Sequence, residues 1–255
     1  MKTKHALSGL ISGLLLLAAG TTTAHAATIY ADSFSRTGNL GGSAPDVTNV
    51  PGQTWIAPLS TTTGSLALDR AYTNAFLPVT IVSGAIYTLS ADLDTFATDG
   101  NWLALGFSPT ANAGSTNVDE WHTSNAVSPW ILERGDPTIA DQVYAGPGAT
   151  NGQDVTANGT SGSHNYAVIL DTTALNWTAT WYRDSQQVGS TFTYSTNPTI
   201  NYVGFGNIAQ GFGNTPAGSV DNFTLSSVPE PGTAALCGMA LVGIAAVRRR
   251  RATAV

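Results

Sequence analysis

The chain has 255 residues, with ten lysines and arginines against sixteen aspartates and glutamates, and a formal charge of −6. The imbalance is steeper between Ala27 and Ser227, where four arginines face fifteen carboxylates, a formal charge of −11, and no lysine occurs. So acidic a surface repels nucleic acid and anionic membranes and argues against either as its partner. The single cysteine, Cys237, lies outside that stretch, so no disulfide braces it and it must rest on its own core.

Along the chain, Lys2 and Lys4 precede an apolar stretch from Leu7 to Ala19, and Ala24-His25-Ala26 supplies a small-x-small cleavage pattern. This predicts a signal peptide over 1–26, cut between Ala26 and Ala27, with an export translocon and a signal peptidase as partners. The competing reading, an uncleaved N-terminal anchor, needs a longer apolar run than this one.

From 27 to 227 short apolar stretches alternate with polar turns, without a convincing helical period. Predicted strands are 28–34, 53–56, 87–94, 102–107, 129–134, 142–145, 165–171, 177–183, 187–194, 200–206 and 219–225. In 87–94 the alternation is explicit: Tyr87, Leu89, Ala91 and Leu93 stand against Thr88, Ser90, Asp92 and Asp94, the pattern of a half-buried strand. Asp184-Ser185 is placed to turn 177–183 back onto 187–194. The series predicts an all-β ectodomain, one antiparallel sandwich over 27–227.

The segment 228–255 differs in kind. Pro229-Glu230-Pro231 fixes φ at both prolines and denies backbone donors, which makes it an extended, protease-accessible joint. An uncharged apolar run from Gly232 to Val247 follows, and Arg248, Arg249, Arg250 and Arg251 hold its far end on the cytoplasmic side. At about 1.5 Å per residue the run reaches roughly 24 Å, short of the ~30 Å hydrocarbon core. Its many small residues make insertion modest, which suits a transient signal better than a lifelong anchor. A processed tail and a retained single transmembrane-type anchor both remain open.

In order and position these parts resemble the C-terminal sorting signal of PEP-CTERM proteins. The resemblance implies an exosortase-type membrane protease as partner, recognition at Pro229, Glu230 and Pro231, and a topological lock at Arg248 to Arg251. It also implies passage through the inner membrane to the cell surface or extracellular matrix of a Gram-negative-type bacterium. A second resemblance covers most of 27–227. Asp32-Ser33-Phe34-Ser35-Arg36 with Gly38-Asn39-Leu40-Gly41-Gly42 is similar to the first-strand motif of concanavalin A-like, laminin G-type jelly rolls. The stretch from Tyr166 to Asp171 with Trp177 to Arg183 resembles their paired central strands, and Ser219 to Leu225 their closing strand. This implies an antiparallel two-sheet jelly-roll sandwich. Arg183-Asp184-Ser185-Gln186 departs from the pattern, since many relatives carry Asp-Gly at this turn.

Candidate chemistry is sparse. Concanavalin-like hydrolases set acids on alternate positions of one strand, where an acid and a nucleophile can flank a glycosidic bond. Asp92 and Asp94 are the nearest pair here and lack a third member, and two solvated acids on an outer strand face are the competing reading. Glu120, Trp121 and His122, preceded by Asp119, combine acids, an imidazole and an aromatic platform in a predicted loop, a candidate sugar or metal contact or simply a loop cap. No cofactor is expected. Calcium is a candidate ion, because Asp136, Asp141 and Asp154 stand among Gly-rich turns and laminin G-type relatives often bind it. Neither a Gly-x-Ser-x-Gly elbow nor a His-Glu-x-x-His motif occurs. The expectation is a non-catalytic structural or carbohydrate-binding module with extracellular polysaccharide as candidate partner. The alternative is a secreted polysaccharide-acting hydrolase or lyase. A concave face of exposed aromatics and paired acids would mark a sugar site, and a flat polar face a structural surface protein.

Overall fold

The alternation of apolar and polar residues folds into two stacked antiparallel sheets. The computed structural model describes residues 25–57, 61–63, 65–67, 72–96, 101–111, 128–136, 138–145, 153–155, 162–208 and 218–230. These form sixteen strands and contain no helix. In chain order they are β1 (Ala27–Asp32), β2 (Gly38–Asn39), β3 (Val47–Thr48), β4 (Thr61–Thr63), β5 (Ser65–Ala67), β6 (Tyr72–Pro78), β7 (Ala85–Thr95) and β8 (Trp102–Ser108). There follow β9 (Trp130–Arg134), β10 (Gln142–Tyr144), β11 (Gln153–Asp154), β12 (Gly162–Asp171), β13 (Thr178–Arg183), β14 (Gln186–Thr193), β15 (Tyr202–Ile208) and β16 (Gly218–Pro229). One compact unit spans Ala26–Val228, and the remaining residues form a second.

The ten-stranded sheet runs β14-β13-β12-β7-β16-β5-β4-β2, with β1 also on β16 and β3 on β1; the six-stranded sheet runs β11-β10-β9-β8-β15-β6. This is an antiparallel two-sheet jelly-roll sandwich. Period-two burial places Tyr87, Leu89, Ala91 and Leu93 of β7 inside, with Tyr166, Val168, Leu170 and Trp181. They meet Leu103, Leu105, Phe107, Ile131, Val203 and Phe205 of the opposite sheet. β8 is buried at every position, because its outward Trp102 and Ala104 join a second cluster with Phe76, Trp130, Leu132 and Tyr144. That explains why 102–107 reads as a continuous apolar run instead of an alternating one.

The turn at 184–185 is a two-residue hairpin closed by the Arg183↔Gln186 pair. Asp184 and Ser185 take φ of 48° and 66°, the double left-handed geometry that matches strand twist. Asp184 supports it by donating its amide to the Asn165 carbonyl at 2.7 Å and accepting the Asn165 amide at 3.0 Å on its side chain. The departure from Asp-Gly therefore preserves the turn. Two expectations need correction. Residues 53–56 form no strand: Trp55 is buried in a loop whose amide reaches the Ser43 carbonyl, and only Ile56 bridges, to Phe76. The first strand stops at Asp32, because Phe34 turns to φ 49° and drops its ring into the core.

Asp32 organises that turn. Its carboxylate is buried and accepts two bonds from the Arg36 guanidinium at 2.7 and 2.6 Å, one from Trp55 Nε1 at 2.7 Å and one from the Phe34 amide at 2.9 Å. Without such donors an ionised carboxylate would be costly at this depth. Phe34 and Trp55 then stack toward Phe205 and Phe223, with Trp55–Phe223 centroids 5.0 Å apart. The Ser33 hydroxyl and amide, with Arg36 beyond them, hold the neighbouring Asp46 below the usual carboxylate range.

Arg36→Met leaves Asp32 buried without its cation, so unfolding free energy should fall by about 3–5 kcal/mol in urea titrations. A loss well under 1 kcal/mol would mean that the tryptophan and amide donors suffice.

Candidate functional site

β16 carries the chain out of the sandwich beside the point where β1 enters it. The register pairs Ala27 with Ser227 and Thr28 with Ser226, so the expected leader junction and the Pro229-Glu230 joint lie on adjacent strands. Ala26, Ala27, Pro229 and Glu230 are exposed. A proline as the last strand residue is tolerated because no further ladder bond is asked of it. Ala24, Pro231 and Arg248 to Arg251 lie outside the described residues, as do Glu120, Trp121 and His122.

Asp92 and Asp94 stand half-buried on the outer face of the ten-stranded sheet. Both oxygens of Asp92 are taken: Oδ1 accepts Asn165 Nδ2 at 2.8 Å and Oδ2 accepts Asn222 Nδ2 at 2.7 Å. Asp92 thereby ties β7 to β12 and β16, and one step along the same face Ser90 and Thr224 share a hydroxyl bond of 2.7 Å. Asn222 reaches it from a left-handed φ of 50°. This row is polar, and its side chains satisfy one another.

A second group of ionisable residues lies between the sheets at the end away from the termini. Glu133 on β9 pairs with Leu103 and points inward; it is 0% exposed and neither carboxyl oxygen has a hydrogen-bond partner among the described residues. Thr95 Oγ1 is likewise buried and unpartnered. Burial first, then the Asp141 and Asp94 carboxylates, push Glu133 well above the usual glutamate range, against the pull of Arg183 and the Thr95 backbone. Asp141 accepts the Arg134 amide at 2.9 Å and the Tyr166 hydroxyl at 2.9 Å, with Arg183 Nη1 at 3.5 Å. Burial nevertheless raises its pKa.

Arg183 lies over the Tyr166 ring, 5.9 Å from its centroid, and its Nη2 is 2.8 Å from His164 Nε2. A guanidinium only donates, so Nε2 accepts and His164 Nδ1 donates to Asp184 at 2.7 Å, which assigns the neutral imidazole. None of these residues was singled out together from the sequence. One signal was available: Glu133 stands two residues after Ile131, an inward position of the same strand.

The calcium candidates do not converge. Asp136 Oδ1 caps the Thr138 amide and hydroxyl at 2.8 and 2.7 Å, Asp141 is engaged in the interlayer network, and the side chain of Asp154 is outside the described residues. Among the described residues no three His, Cys, Asp or Glu side chains come together as a metal site. Asp136 and Asp141, the two candidates whose side chains are described, are each engaged by protein donors.

The outer face of the six-stranded sheet is aromatic but filled. Trp130 and Tyr144 stack at 3.9 Å and 3°, and Trp130 is only 1% exposed. Gly106 faces Gly204 across β8 and β15, and a Cβ at Gly106 would collide with the Cβ of Trp130. The glycine is what lets the indole lie flat.

Comparison with known families bears on the tail. The PEP-CTERM protein-sorting motif matches residues 227–251. The match implies export, membrane-associated sorting and processing by an exosortase-type membrane protease. No curated protein matches the chain. Among solved structures, the chain is similar to the Emp47p carbohydrate recognition domain at 11% identity and TM-score 0.49, covering 82% of this chain and 99% of that one. It is similar also to an endo-1,3-β-glucanase from Streptomyces sioyaensis at 13% identity and TM-score 0.49, covering 83% and 99%. Peanut lectin follows at 15% identity and TM-score 0.47, covering 80% and 98%. The two-sheet assignment stands on strand order and register, independently of these likenesses.

Two outcomes are expected here. A folded pKa raised above the unfolded value means that Glu133 supports the fold fully at acid pH, and that this support is lost as pH climbs through the folded value. Glu133→Gln should therefore gain about 1–3 kcal/mol near pH ~8, little near pH ~4, and flatten the pH profile of thermal unfolding. Equal gains at both ends would show that Glu133 does not titrate in that window. Gly106→Ala should cost about 1–3 kcal/mol and alter the near-ultraviolet circular dichroism of the stacked Trp130–Tyr144 pair.

Proposed function

We propose that the protein is an exported, exosortase-sorted component of the cell surface or extracellular matrix whose sandwich is non-catalytic. The carrying observation is the continuity of β16 with the sorting motif: the final strand delivers exposed Pro229 and Glu230 two residues past the Ala27↔Ser227 pair. A stem this short holds the joint beside a folded body while leaving its backbone open to a protease. The absence of catalysis is supported by Asp92, whose two oxygens are consumed by carboxamides and leave none for a glycosidic bond. Glu133, whose pKa burial pushes well above the usual glutamate range, faces the interlayer core and is fully buried.

The self-satisfied polar row of the ten-stranded sheet supports a structural surface role with polysaccharide as the contacting class. Its hydroxyls and carboxamides suit water-mediated contact with a neutral glycan. An open aromatic platform on the six-stranded sheet would have favoured a lectin pocket, and its described outer aromatics Trp102, Trp130 and Tyr144 are buried.

Intact mass of the protein from membrane, surface and medium fractions of its host tests the reading. Loss of the first 26 residues and of everything beyond the 229–231 region is expected in the surface or medium fraction. A full-length tail held in the inner membrane would replace sorting with simple anchoring.

A further inference from the structure

The inner face of the ten-stranded sheet ends in an imidazole. His164 stands two residues before Tyr166 on β12, so by alternation it lies on the face that carries Tyr166, Val168 and Leu170 into the core. The cross-strand pair Tyr166↔Arg183 sets Arg183 of β13 on that same face. The Arg183 side chain is 14% exposed, and its guanidinium meets three groups. Nη2 is 2.8 Å from His164 Nε2, Nη1 is 3.5 Å from Asp141 Oδ2, and Nε is 3.9 Å from Asp184 Oδ2. His164 Nδ1 lies 2.7 Å from the same Asp184 oxygen. Arg183 thus joins the rim of one sheet to the connection between β9 and β10 of the other, where Asp141 stands.

The contact between Arg183 and His164 belongs to one protonation state. Every guanidinium nitrogen carries hydrogen and none accepts, so Nε2 must offer its lone pair. A proton on Nε2 would set two donors and two positive charges 2.8 Å apart, and the contact would break. Nδ1 would still donate to Asp184. Imidazole is the side chain whose charge ordinarily changes between about pH 5 and 8.

The other charges packed round this ring decide where Arg183 then goes. On β7, which pairs Leu93 with His164, the flanking Asp92 and Asp94 point to the opposite face, and Asp92 is held by Asn165 and Asn222. On β9 Glu133 faces inward, and burial holds it toward its protonated form. Asp184 keeps the ring itself. Asp141 accepts the Arg134 amide and the Tyr166 hydroxyl, yet its distance of 3.5 Å from Arg183 is longer than the ~2.7–2.9 Å of a closed charge-assisted bond. Burial raises the Asp141 pKa and Arg183 draws it down, so a nearer guanidinium favours the carboxylate.

We propose that His164 and Arg183 form a proton-operated exchange. While His164 is neutral, Arg183 is shared between its ring and Asp141; when His164 takes a proton, Arg183 leaves the ring and closes on Asp141. The link between the sheets tightens as the rim gains charge. The exchange goes beyond the surface role and does not depend on how the tail is processed.

The test is a pH titration of the full chain in detergent micelles, with isotope-labelled nitrogen read by nuclear magnetic resonance. His164→Gln is the control, since glutamine can accept from Arg183 and donate to Asp184 without titrating, and its spectrum identifies the His164 signals by their loss. Near pH ~8 the His164 ring should carry its proton on Nδ1 and leave Nε2 bare. As pH falls, the Arg183 Nη resonances should shift in the same step as the ring, and His164→Gln should remove that step. Arg183 resonances that stay fixed while His164 titrates overturn the exchange. An Arg183 step with the same midpoint in His164→Gln also overturns it and assigns the change to Asp141 or Glu133. So does a ring protonated on Nε2 alone near pH ~8, or one that takes up no proton down to pH ~4.

Discussion

The first strand of the sandwich lies against its last, and most of the remaining structure depends on that closure. Joining Ala27–Asp32 to Gly218–Pro229 closes a loop of nearly the whole unit, an entropic cost that grows only slowly with length but must be met by contacts formed at the seam. The seam supplies them. Asp32 sits at its inner end with four donors, and Phe34 and Trp55 follow it into the core against Phe205 and Phe223. At its outer end the seam stops beside the sorting joint. The same pairing thus completes the core and sets the place from which the tail departs.

Charge is handled differently in three places. At Asp32 a buried carboxylate is fully bonded and fixes a loop. On the outer sheet face Asp92 is bonded by two carboxamides and staples three strands. Between the sheets Glu133 has no hydrogen bond within criterion among the described residues and is held toward its protonated form by burial and by Asp141 and Asp94, against the weaker pull of Arg183 and the Thr95 backbone. The first two arrangements stabilise an ionised acid through donors; the third tolerates an acid by suppressing its charge. Such a group stabilises little, and beside the Asp141–Tyr166–Arg183 network it gives this end a dependence on pH.

Much of the sandwich was legible in the sequence because period-two alternation is a local property. The strand through Tyr87 to Leu93 and the pair 165–171 and 177–183 were readable for that reason. The failures have physical causes too. Trp55 carries a strand-former's side chain, but its indole bonds Asp32, twenty-three residues away, and that contact holds it in a loop. Glu133 was not singled out: its spacing from Ile131 marks the face it shares, but the depth to which the opposite sheet covers it is not local. Asp92 and Asp94 were readable as a same-face pair, yet the partners that occupy Asp92 come from β12 and β16, 73 and 130 residues further on.

By itself the sequence determined the elements that act through local chemistry: the alternating strands, a turn at Asp184-Ser185, and the Pro-Glu-Pro joint with its apolar run and arginines. Each depends on residues close enough in the chain to restrict one another's backbone or to be met together by a protease or a bilayer. Only the tertiary structure decided which of the described acids are bonded and which is buried without a donor. Those properties arise from strands brought together across scores of residues, since the donors and the cover of each acid come from elements far away in the chain.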